Sequence, residues 1–151
     1  MVKINRPGAV TFLAIVNGIG CGITFVFWLL VWIKKLVPSP VEFTILAERA
    51  NAATTHGFMI ADLFYSVPLL FIATLGLWHM RAWGWTAAQM VNILWIFSMT
   101  VVWIRDVYTN FSPGGILFLP FTLIALWALW YLWKIRHMFW NFSENKSIQK
   151  N

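Results

Sequence analysis

Residues 39–78 read SPVEFTILAERANAATTHGFMIADLFYSVPLLFIATLGLW. The stretch opens like a helix start. Ser39 and Glu42 are the two ends of a capping box, and Pro40 takes the first helical position. No strong breaker follows before His56, and Leu46, Ala47, Glu48, Arg49, Ala50, Ala52 and Ala53 all tolerate helix. The pattern predicts a long or gently broken helix from Pro40 to Trp78, with its first turns outside lipid and a span over about 57–78. The competing geometry lays Val41–Thr55 along the interface and bends the chain at Gly57. Pro68 removes a backbone hydrogen bond and predicts a kink.

Upstream, the run from Val10 to Ile33 is long enough to cross a hydrocarbon core of roughly 30 Å. It is too long for the core of a signal peptide, and it ends in Trp-Ile-Lys-Lys without small residues for cleavage. It therefore reads as a retained first span. Gly18 and Gly22 give it a small-xxx-small spacing suited to close helix approach. Downstream, a basic turn from His79 to Gly84 leads to a third span over about 85–104. Tyr108–Gly115 has turn chemistry. A fourth span follows over about 116–133, and the tail 141–151 is polar and loose.

Composition agrees. The chain of 151 residues is 60% hydrophobic and only 11% charged, with mean hydropathy +0.72. A soluble domain carries about a quarter charged residues. Its 11 Trp and 13 Phe suit interfacial belts and lipid-facing surfaces. The expected fold is all-α: a polytopic membrane protein, an antiparallel four-transmembrane-helix bundle in one domain over residues 1–151. The lipid bilayer is the first partner.

The net charge of +6 falls at the ends of apolar segments, where topology explains it without nucleic acid. Lys3, Arg6, Arg81, Lys134, Arg136, Lys146 and Lys150 share one side, against Lys34, Lys35, Arg49 and Arg105 on the other. The positive-inside rule then places both termini in the cytoplasm. One cysteine, Cys21, excludes an intrachain disulfide.

Polar groups inside the apolar segments are the candidate functional residues, because a charge in hydrocarbon costs at least about 2.5 kcal/mol. Glu48, Thr55 and Asp62 are seven apart, with Asn51 and His56 on the same broad side of the helix. In the third span Asn92, Met99 and Asp106 share a stripe. Antiparallel packing predicts that Glu48, His56, Asp62 and Asp106 converge on one pocket near the outer leaflet, with Asp62 turned toward the third span. Asn92 and Asn17 lie deeper. Trp95 and Trp103 are candidates to line a flat apolar pocket. The structural alternative pairs Asp62 with Arg49 or Arg105.

A histidine with two carboxylates is a proton-transfer set for a lipid-soluble substrate such as a sterol, terpene, quinone or lipid. In that chemistry Asp62 is the acid and His56 or Glu48 the base, Asn51, Asn92, Trp95, Trp103 and Asp106 contact the ligand, and ring isomerisation fits. No metal and no cofactor are expected. Glu48 and His56 are eight apart, without an E-x-x-H or H-E-x-x-H pair, and no phosphate loop or nucleophile elbow is present. Two other classes compete: a proton- or cation-coupled transporter working as a homodimer, and a noncatalytic subunit of a larger membrane complex.

Overall fold

A computed structural model describes residues 6–109 and 114–140. The expected tail lies outside this range, as do residues 110–113 of the expected Tyr108–Gly115 loop. All regular structure among the described residues is helical. Helix α1 is Gly8–Ile33, α2 Leu46–Ala61, α3 Val67–Trp78, α4 Ala82–Thr109, α5 Gly114–Leu117 and α6 Leu119–Lys134. A π-helical turn, Asp62–Ser66, joins α2 to α3 without a break. Three helices are long and apolar enough to cross a membrane: α1, the composite Leu46–Trp78 of 33 residues, and α4. The fourth apolar helix, α6, has 16 residues.

The long helix starts later than its capping box predicts. Glu42 does accept a hydrogen bond from the Ser39 backbone N–H at 3.1 Å, but it closes only a single 3-10 turn, Pro40–Glu42. Val41, Phe43, Thr44 and Ile45 are β-branched or aromatic residues that lose side-chain freedom in a helix, and both Phe43 and Ile45 are extended. The Arg49 guanidinium reaches back to the Phe43 carbonyl at 2.8 and 3.1 Å and fixes this connection. Gly57 does not bend the helix. The irregularity comes at Asp62–Ser66, immediately before Pro68. There the Val67 N–H bonds the Asp62 carbonyl, five residues back. Widening the helix by one residue relieves the clash that a proline ring makes with the preceding turn.

Helix α1 packs on α3, α3 on α4, and α4 on α6. Neighbours are antiparallel. Arg6 before α1 donates to the Trp78 carbonyl at the end of α3 (2.7 Å), and Trp85 near the start of α4 donates to Leu132 near the end of α6 (2.8 Å). The core gathers at this end, around Leu13, Leu77, Ala88, Leu132 and Phe139. Close approach of α3 and α4 requires glycine. A Cβ on Gly76 would come 2.7 Å from the Gly84 backbone nitrogen. In α1, Gly18 faces Thr74 and Gly20 faces Leu70, whereas nothing approaches Gly22.

Two helices end in Schellman motifs closed by residues other than glycine. After α1, Leu36 N–H bonds Val31 and Lys35 N–H bonds Trp32, with Lys35 at φ 49°. After α3, Arg81 N–H bonds Gly76 and Met80 N–H bonds Leu77, with Met80 at φ 51°. Met80 is buried, so packing offsets its left-handed backbone; Lys35 is exposed and gains no such compensation.

Candidate functional site

Asp62 opens the π-helical turn, and its carboxylate turns toward α1 rather than toward the third span. The Trp28 indole N–H donates to Oδ2 at 2.8 Å, and Ser66, one turn on, donates its hydroxyl to Oδ1 at 2.8 Å. Hydrogen bonds to a charged group contribute about 1.5–3 kcal/mol each. Two of them would match the cost of about 2.5–3.5 kcal/mol that an acidic side chain carries at the centre of a membrane helix. No ion pair joins Asp62 to Arg49 or Arg105. Arg49 is held by Phe43, and Arg105 pairs with Asp106 at 3.0 Å.

His56 lies one and a half turns before Asp62 and is half-buried. Its Nδ1 is 2.9 Å from the Ala52 carbonyl of its own helix. A carbonyl only accepts, so Nδ1 carries a proton, which leaves Nε2 as the ring's other hydrogen-bonding atom. His56 lines an open notch with Trp28, Val31, Val37, Thr55 and Met59. The notch leaves about 130 Å³ of open space and no enclosed room for a water molecule. Thr55 spends its hydroxyl proton on the Asn51 carbonyl at 3.1 Å. Trp28 thus shares the notch with His56 and donates its indole N–H to Asp62.

The other expected members stand apart. Glu48 and Asn51 are exposed on the first turns of α2. Asp106 accepts the Gly115 N–H at 2.9 Å, while Trp103 donates to the Gly115 carbonyl at 2.7 Å. Together they clamp the backbone of Gly115 on both sides of its Cα, where α5 begins. Asn92 is buried and donates to Ala88 of its own helix at 2.7 Å. Trp95 packs edge-on against Phe118 and Phe121, with its indole nitrogen buried and unpaired. The expected convergence of Glu48, His56, Asp62 and Asp106 does not form. No group of three or more His, Cys, Asp or Glu among the described residues is close enough to hold a metal ion.

Trp28 and Ser66 are the site residues that spacing arguments overlooked. Ser66 had a usable signal, since it stands four residues after Asp62 on the same helix face. Trp28 had none, because one tryptophan among 11 in a membrane chain reads as part of an interfacial belt. Comparison with known proteins finds no matching family model, no curated relative and no similar solved structure.

Proposed function

We propose that the chain is a four-span integral membrane protein that binds an apolar molecule carrying one hydrogen-bonding group, seated from the side between α1 and α2. The observation that carries this reading is the notch over Trp28. It combines apolar walls (Val31, Val37 and Met59) with two polar side chains, His56 and Thr55, whose Nδ1–H and hydroxyl protons are already bound to backbone carbonyls. Ligand sites commonly pair a mostly apolar lining with few fixed polar groups. The notch has no enclosed room even for a water molecule, so it is an open surface seat and not an enclosed pocket of the usual 300–1,000 Å³. It therefore takes one end of a sterol, terpene, quinone or lipid, a hydroxyl bonding to Nε2 of His56, while the rest lies along the lipid-facing helix surface.

Binding rather than turnover is the proposed activity. Proton transfer needs an acid and a base around one substrate. No carboxylate shares the notch with His56, and both Asp62 oxygens already accept hydrogen bonds.

Helix lengths support the topology. The three long helices suffice by themselves, and the fourth, α6, has 16 residues, about 24 Å at 1.5 Å per residue, with the short α5 preceding it across Phe118. With four spans, the excess of basic residues beside the termini supports a cytoplasmic location for both.

Mass spectrometry of small molecules retained after gentle extraction tests the binding. The wild type is expected to carry an enriched apolar species that both His56→Leu and the notch-filling Met59→Trp lose. Absence of any enriched species, or equal retention by Met59→Trp, contradicts it.

A further inference from the structure

The end of the molecule that gathers Arg6, the 79–81 turn and the end of α6 carries cations mounted on tryptophan rings. Arg6 lies 4.1 Å over Trp78, Lys134 5.4 Å over Trp130 and Arg136 4.8 Å over Trp133. Trp133 in turn packs on Trp85, and Trp85 on Trp140. These contacts hold the charges at the level of exposed indoles, the depth at which tryptophan sits among lipid headgroups. The four described carboxylates, Glu42, Glu48, Asp62 and Asp106, all lie toward the opposite end, beside Lys34, Lys35, Arg49 and Arg105. Among the described residues neither Lys134 nor Arg136 has a carboxylate partner. The charge imbalance is therefore concentrated on one face, in cations set against tryptophan rings, of which Lys134 and Arg136 are exposed.

We propose that this face binds the headgroup phosphates of anionic phospholipids, with Lys134 and Arg136 as the two reaching donors. Arg6 is committed elsewhere, since its guanidinium also holds the Trp78 carbonyl and the Thr11 hydroxyl at 2.7 Å each. Lys134 ends α6 and Arg136 follows two residues on, both exposed and each over its own tryptophan ring, so each can meet a separate phosphodiester. Cations near an anionic leaflet are attracted by about 1 kcal/mol each, and the indole platforms keep them at that surface. The inference rests on the membrane placement proposed above but not on the Trp28 notch.

Native mass spectrometry of the detergent-purified chain, offered equal amounts of phosphatidylglycerol and phosphatidylcholine, tests it. The wild type is expected to retain phosphatidylglycerol preferentially. Lys134→Gln with Arg136→Gln is expected to lower that retention about fivefold per charge removed (~1 kcal/mol each). The charge-preserving pair Lys134→Arg and Arg136→Lys, and the opposite-end pair Lys34→Gln and Lys35→Gln, are expected to retain it. No anionic preference in the wild type, or an equal fall in either control pair, overturns the proposal. Recovery of the chain in the aqueous fraction after alkaline extraction would remove the membrane placement and this inference together.

Discussion

The indole of Trp28 on α1 donates a 2.8 Å hydrogen bond to the carboxylate of Asp62, which stands at the start of a π-helical turn in the long second helix. That bond joins two helices where each is otherwise apolar. It also sets the edge of the notch that His56 shares.

If the bond is what makes Asp62 tolerable, the two residues must be energetically coupled. Trp28→Phe, Asp62→Asn and the double variant form a thermodynamic cycle that denaturation in detergent can read. A coupling of about 1.5–3 kcal/mol is expected for a hydrogen bond to a charged group. Additive effects would mean that the two side chains do not depend on each other.

The glycines divide into two sets. Gly76→Ala is expected to destabilise strongly, because its Cβ would meet the Gly84 backbone rather than a side chain that can turn away. Gly57→Ala has open space around it and is expected to stabilise by about 0.5–1 kcal/mol through helix propensity. Thermal midpoints moving in the same direction in both variants would contradict the close packing of α3 on α4.

Lys35 and Met80 share a backbone conformation but not an environment. Lys35→Gly is expected to stabilise the chain by about 1 kcal/mol, the cost of a left-handed residue with a side chain. Met80→Gly is expected to destabilise, since the buried side chain contributes about 2–5 kcal/mol when truncated. Chemical denaturation of the two variants checks the opposite signs.

At the far end, Asp106 holds the backbone N–H of Gly115 and Trp103 its carbonyl. Asp106→Asn keeps an acceptor for the Gly115 N–H, and Asp106→Ala does not. The alanine variant is expected to show the larger drop in thermal midpoint and the faster amide exchange at Gly115. Equal behaviour would assign Asp106 to its Arg105 pair alone.

Much of this architecture can be read from hydropathy. The apolar runs ending at Lys34, Trp78 and Lys134 each end where a helix ends. What hydropathy does not carry is rotation about the helix axis. Glu48, Asp62 and Asp106 recur at intervals that suit a shared face, yet Asp62 turns to α1 and Asp106 to Gly115. The π-helical turn adds a separate displacement to the residues that follow it. One extra residue in the turn before Pro68 rotates the α3 side chains by about 100°, so a constant 3.6-residue period misplaces faces across it. The helix start is legible in the same qualified way: Ser39 and Glu42 do form their contact, but the β-branched residues after them end the turn.

The most direct test is the 15N–1H signal of the Trp28 indole in detergent micelles. A signal shifted from those of the other tryptophans, slow to exchange with deuterium, and moved by Asp62→Asn is the expected result. A rapidly exchanging Trp28 indole that Asp62→Asn leaves unchanged would contradict the joining of α1 to the long helix at this point, and with it the Trp28 edge of the proposed binding notch.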